Sequence, residues 1–241
     1  IENVRLIPFR QEERSLYLSN LAMVNQRLKQ LENTWEENQL QVLAQLTRLR
    51  QLCCEPRLLY ETIHDVSSKL CDCLELMEQL WQNHRKVLVF SSFVSMLQML
   101  EAELKRKQIS YVMLTGRTSK EERKKRIDRF QNEDISAFLI SLKAGGTGIN
   151  LTAAEAVIHL DPWWNTSSQN QATDRAYRMG QTKNVQVYQL IMKDSIEEKI
   201  MKLQHRKQAL ANDFVKGNSG ALSFMSKKEV MALVSERENE Q

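Results

Sequence analysis

Apolar positions in the first third of the chain recur at helical spacing. Val42, Leu46, Leu49 and Cys53 step by four, three and four, as do Leu70, Leu74, Met77 and Trp81, so each set predicts one apolar stripe on a helix. Pro56 ends the first of these helices. An earlier helix, over about residues 11–32, follows the short strand-like "VRLIPF". From residue 86 short apolar runs alternate with amphipathic helices. "KVLVF" (86–90), "SYVML" (110–114), "ISAFLIS" (135–141), "AVIHL" (156–160) and "NVQVYQLIM" (184–192) are the strand candidates. Phe93, Leu97, Leu100 and Leu104 share one face of the helix after the first, and Ile196, Ile200, Leu203 and Leu210 share one face of a helix reaching about Phe214. Thr118 with Glu121, Ser195 with Glu198 and Ser226 with Glu229 have capping-box spacing at three helix starts. Val-, Ile- and Leu-rich strands separated by helices predict an α/β domain with a mostly parallel sheet covered on both faces.

Composition adds a size and a charge. The 241 residues, 42% hydrophobic and 27% charged, suit one large or two small soluble domains. A net charge of +4 is too mild to establish a polyanionic partner. Residues 105–129, however, hold ten basic side chains against three acidic ones. That segment suits a polyanion, although a solvated helix face explains any single residue in it as well. The longest uncharged apolar stretch, "VLVFSSFVSMLQML", is too short for a membrane span, and the first residues lack a signal-peptide pattern, so a cytosolic address is expected. The cysteines, Cys53-Cys54 and Cys71-Asp72-Cys73, are not spaced as zinc or redox pairs and read as reduced thiols in a core, with no metal site.

In an open α/β sheet the functional crevice lies beyond the carboxyl ends of the strands. "SSF" (91–93) and "TGRTS" (115–119) offer hydroxyls and free N–H groups for phosphates, although ordinary capping accounts equally for Thr118 and Ser119. "SLKAGGTGINL" (141–151) sets Gly145, Gly146 and Gly148 among the donors Ser141, Lys143 and Thr147, which favours phosphate contact over a merely tight turn. It is not a Walker A loop, and none occurs in the chain. "DPWWN" (161–165) carries Trp163 and Trp164, better explained as packing than as base stacking. In "QATDRAYRMGQ" (171–181), Gln171, Asp174, Arg175 and Arg178 fall along one flank of a helix. Either Asp174 and Arg178 pair on the surface, or the guanidinium forks reach a transferring phosphoryl group.

In order, these segments resemble the C-terminal RecA-like lobe of SWI/SNF-type ATPases, the DNA translocases of helicase superfamily two. "KVLVFSSF" is similar to their motif four, "YVMLTGRTSKEERKKRIDRF" to the motif that follows it, "FLISLKAGGTGINLTAA" to motif five, "HLDPWWN" to the Asp-Pro-Trp-Trp-Asn element and "QATDRAYRMGQ" to motif six. "LRQLCCEPRLL" (49–59) resembles the stretch that separates this family from other helicases. Glu55 and Tyr177 stand where many members have histidine, and Thr166 where proline is usual. Compact helical insertions suggest a bacterial-type member.

The resemblance implies a RecA-like three-layer lobe at 85–215, a helical protrusion and brace at 1–84, and a C-terminal extension with a short helix at 216–241. It implies Arg175 and Arg178 as arginine fingers, with Gln171, Gly146 and Gly148 beside the ATP cleft. It further implies Ser91, Ser92, Gly116, Arg117, Ser141, Lys143 and Thr147 along the phosphates of one DNA strand. The phosphate-binding Lys loop and the Asp-Glu pair for Mg2+ belong to the family's N-terminal lobe. The expected function is therefore the second motor lobe of an ATP-dependent double-stranded DNA translocase, inactive in hydrolysis alone. Its expected partners are the N-terminal lobe, the DNA backbone and a DNA-bound protein complex, in a bacterial nucleoid or a eukaryotic nucleus. The competing reading is a non-catalytic nucleic-acid-binding or regulatory module that retains the fold.

Overall fold

A computed structural model of the chain describes residues 2–145, 151–163, 185–211 and 226–235. It divides into two compact units, one of residues 1–7 with 66–191 and the other of residues 8–65 with 192–241. Both units are discontinuous in sequence, whereas the expected segments 1–84, 85–215 and 216–241 are contiguous.

The first unit is built on six strands, β1 (Glu2–Ile7), β2 (Val87–Ser91), β3 (Tyr111–Leu114), β4 (Ala137–Ser141), β5 (Ala156–His159) and β6 (Gln186–Met192). They form one sheet in the order β1-β6-β5-β2-β4-β3. The β3–β4, β4–β2, β2–β5 and β5–β6 pairs are parallel. β2 lies at the centre and is buried at all five positions, as is β4, which requires cover on both faces. Register aligns Val112, Phe138, Leu88, Val157 and Val187 in one row across the sheet, and these five share a buried cluster with Phe130.

Helices α3 (Ser68–Gln82), α4 (Val94–Arg106) and α5 (Lys120–Asn132) pack on β1, on β2 and β4, and on β3 respectively. Their predicted stripes are largely inside. Leu70, Met77, Leu97, Leu100 and Leu104 are fully buried, while Trp81 is half-buried, its indole N–H donating to the Ser136 carbonyl at 3.4 Å. The cap of α5 lies one residue later than the Thr118–Glu121 spacing predicts. Ser119 accepts from the Glu122 N–H, and Thr118 Oγ1 instead accepts from the Thr115 N–H at 3.1 Å, closing the turn after β3.

The second unit contains α1 (Gln11–Gln30) and α2 (Gln39–Cys54), followed after β6 by α7 (Ile196–Ala211) and α8 (Lys227–Val234); a one-turn α6 (Leu142–Gly145) belongs to the first unit. The α2 stripe of Val42, Leu46, Leu49 and Cys53 is buried as predicted. A buried Tyr17 hydroxyl on α1 accepts from the Ile196 N–H at 2.7 Å, joining distant parts of the sequence. Burial pushes this phenol well above its ordinary pKa. Ser226 and Glu229 form the predicted capping box. At α7 the predicted box is displaced: Ser195 Oγ accepts from the Glu197 N–H, and Glu198 accepts from the Asp194 N–H. Glu55 is buried and held by the Arg57 guanidinium through bonds of 3.0 and 2.9 Å.

Truncation of Phe138, fully buried in the sheet, is expected to cost about 3 to 5 kcal/mol in urea unfolding. Leu40→Ala, at a residue 83% exposed, should change stability by less than about 0.5 kcal/mol.

Candidate functional site

Because the strands around β2 run parallel, their carboxyl ends share one edge of the sheet, and the loops that leave this crest are the expected site. Ser91 and Ser141 are register partners at the ends of β2 and β4, and β3 ends at Leu114, level with Ile140. β5 ends beside β2, with the Leu160 N–H donating to the Phe90 carbonyl at 2.9 Å.

One carboxylate organises this edge. Asp161, 1% exposed, accepts from Ser91 Oγ at 2.6 Å, from the Ser92 N–H at 3.0 Å and from Ser92 Oγ. The turn after β2 is thus pinned to the segment after β5. Ser91 Oγ also accepts from the Phe93 N–H at 3.0 Å. Beneath them lies Lys69, fully buried near the start of α3, whose amine donates to the Leu160 carbonyl at 2.9 Å. Burying an ammonium and a carboxylate so close to one sheet edge is costly unless each is hydrogen-bonded, and both are. His159, next to Asp161 but one, stacks on Phe90 with ring centroids 5.5 Å apart. Its burial lowers the imidazole pKa to about 4, against a smaller opposing effect of Asp161.

Of the residues expected on the DNA side, Ser91 is buried and engaged with Asp161, Ser92 is half-buried, and Gly116 and Arg117 are exposed. Ser141 is buried, and among the described residues its hydroxyl has no hydrogen-bond partner. A Cβ placed on Gly116 would meet nothing within 4 Å, so packing inside the chain does not require this glycine. Lys143 lies in α6, and only its backbone is described. Gly146, Thr147, Gly148, Gln171, Arg175 and Arg178 fall outside the described residues. The segment after the glycines is anchored from α5, where Gln131 accepts from the Ala153 N–H at 2.8 Å and donates to Thr152 at 3.4 Å. Trp163 packs half-buried against the core, in line with the packing explanation.

Sequence reasoning placed Asp161 in a loop at the crest without giving it a role, and it gave no role to His159 or Lys69. Asp161 carries a usable signal, because an acidic residue directly after an apolar strand in a parallel sheet must find donors at the strand end. Lys69 carries none, since one lysine among polar neighbours does not announce its burial.

The described residues contain no group of three His, Cys, Asp or Glu side chains suited to a metal ion. No helix among them is long and apolar enough to cross a membrane. The chain matches the family described as "Helicase conserved C-terminal domain" over residues 66–180. It is 36% identical to the putative ATP-dependent helicase/translocase YwqA of Bacillus subtilis over 239 residues, 97% of this chain and 26% of that protein. An uncharacterized ATP-dependent helicase of Mycoplasma pneumoniae is 37% identical over 207 residues, 86% of this chain and 20% of that one. The chain therefore spans about a fifth to a quarter of these curated relatives. Among solved structures it is similar to the Sulfolobus solfataricus SWI2/SNF2 ATPase C-terminal domain, with TM-score 0.78 and 28% identity over 98% of each chain. It is also similar to the ATPase core from that organism in complex with dsDNA, with TM-score 0.80 and 30% identity over 98% of this chain and 50% of that one.

The imidazole of His159 titrates near 6.5 when unfolded and at about 4 when folded, so protonation favours the unfolded chain. Its contribution is complete above pH 6.5 and is lost as pH falls toward 4, about 3 kcal/mol in all. Urea unfolding across that window should show a loss of stability that is smaller by this amount in His159→Phe.

Proposed function

The chain belongs to the SWI2/SNF2 group within the helicase C-terminal domain family, and we propose that it is the second motor lobe of an ATP-driven translocase on double-stranded DNA. The observation that supports this reading is one of extent: the chain is similar over 98% of its length to 50% of the Sulfolobus solfataricus SWI2/SNF2 ATPase core in complex with dsDNA. A lobe of this kind completes a nucleotide site whose floor lies on its neighbour.

The loops at the crest divide the work. Arg175 and Arg178 act as arginine fingers, their planar forks neutralising charge that develops on the transferring phosphoryl group. Gln171, Gly146 and Gly148 line the same cleft. ATP with Mg2+ supplies the phosphoryl transfer that drives each cycle, held mainly by the N-terminal lobe. The lobe alone is accordingly inactive in hydrolysis.

On the DNA side, Gly116, Arg117, Ser141, Lys143 and Thr147 contact phosphates of one strand, and Ser91 and Ser92 form the turn that Asp161 holds toward it. The open space over Gly116 leaves room for a backbone to approach, and the exposed Arg117 beside it carries the charge for a phosphate. These groups read charge and shape rather than bases, so binding is independent of sequence and sensitive to salt. Closure of the two lobes around ATP, followed by hydrolysis and reopening, moves this grip along the duplex and against any protein bound there. The DNA compartment, nucleoid or nucleus, is its place of action.

In the intact parent protein, Arg175→Ala or Arg178→Ala is expected to lower DNA-stimulated ATP hydrolysis by on the order of a thousandfold while DNA affinity is kept. An unchanged rate in both variants contradicts the assignment.

A further inference from the structure

The ten basic side chains of residues 105–129 are not equivalent in the fold. Lys105 pairs with Glu101 at 3.2 Å, Arg106 with Glu103 at 2.9 Å, and Lys107 with Glu78. Lys125 and Arg126 share Glu122, and Arg129 pairs with Glu133 at 3.0 Å. Arg123 donates to the Ala144 carbonyl at 3.1 Å. Three cations remain without a side-chain partner among the described residues: Arg117, Lys120 and Lys124. All three are exposed, and they are consecutive along the chain as cations except for the engaged Arg123.

Their placement is as selective as their freedom. Arg117 lies in the loop leaving β3 at the crest, and Lys120 opens α5, the helix that this loop enters. Lys124 follows one helical turn later, about 6 Å along the axis and on nearly the same side. Two carboxylates without an ion pair among the described residues lie nearby: Glu121 projects roughly 100° around the helix from Lys120 and stands one turn before Lys124, and Asp128 stands one turn after Lys124. The Arg123 bond ties this part of α5 to α6, directly before the glycine-rich segment. The paired cations carry a carboxylate beside each charge, so much of their field cancels locally. Arg117 and Lys120 have no carboxylate in an ion pair with them, and Lys124, with Glu121 and Asp128 a turn away on either side, pairs with neither among the described residues.

We propose that Lys120 and Lys124 form a phosphate rail that extends the Arg117 contact along α5, gripping the backbone of a DNA duplex by charge alone. This rests on the reading above that duplex DNA is the partner. The rail has no donors fixed toward base edges, and a flexible ammonium on a four-carbon stem suits a contact that must be released and remade at each step. The two lysines would enlarge the salt-sensitive part of the grip without entering the nucleotide cleft.

The test is a fluorescence anisotropy titration of the protein with a labelled mixed-sequence DNA duplex, repeated between roughly 50 and 200 mM salt. Lys120→Gln/Lys124→Gln is compared with Lys105→Gln/Lys107→Gln, which removes equal charge from paired positions. The rail variant is expected to flatten the slope of log affinity against log salt by roughly 2, close to 0.9 for each lost phosphate contact, and the paired variant to leave it near the parent value. Unchanged thermal unfolding of both variants verifies the fold. An unchanged slope in the rail variant, or equal flattening in both, overturns the rail while leaving the DNA reading in place. Failure of the parent protein to bind the duplex in a salt-dependent way overturns the DNA reading, and the rail with it.

Discussion

The crest of this sheet is held by a single buried carboxylate. Asp161 cannot be left in a dry environment without donors, and it finds them in Ser91 and Ser92, at the end of the neighbouring strand. The bond set therefore fixes two loops at once, the turn after β2 and the segment that leaves β5 toward the arginine-bearing sequence. Lys69 adds a second constraint from below through the Leu160 carbonyl. Rigidity at these points is what a site assembled from loops requires, because groups contributed by separate strand ends keep their mutual geometry only if the ends do.

Above that rigid edge the chemistry is unfinished in a specific way. Among the described residues the buried Ser141 hydroxyl has no partner, Gly116 faces open space, and the cations without an ion pair, Arg117, Lys120 and Lys124, lie in the loop after β3 and in the first turns of α5. On the proposed function, the glycine and the cations meet a phosphodiester backbone. The rest of the surface charge is treated differently, with most of the cations in 105–129 neutralised by nearby carboxylates. A mild net charge of +4 thus coexists with a concentrated field in one place.

Much of the fold was legible in the sequence because its central strands are uniformly apolar. β2 and β4 are buried on both faces, so continuous runs such as "VLVF" and "AFLI" could be read without weighing alternation. Helix stripes were legible for the same reason. The cap of α5 was misplaced by one residue because "TSKEE" offers two overlapping capping spacings, Thr118 with Glu121 and Ser119 with Glu122, and only packing selects between them. The division into two discontinuous units was not legible at all, since it depends on contacts such as Tyr17 with Ile196, which no local pattern encodes. At the candidate site, hydroxyls and glycines after strands announced the crest. The engagement of Ser91 with Asp161, and the sorting of cations into paired and free, required coordinates, because a charge run looks the same in sequence whether or not its members are neutralised.

The central claim is that this lobe holds only part of a nucleotide site. ATP turnover by the purified chain, with and without duplex DNA, compared with turnover after it is joined to a lobe carrying the phosphate-binding Lys loop and the Asp-Glu pair, tests this most directly. The account predicts no turnover above background for the chain alone in either condition, and DNA-stimulated turnover for the joined protein. Hydrolysis by the isolated chain at the rate of the joined protein would contradict it.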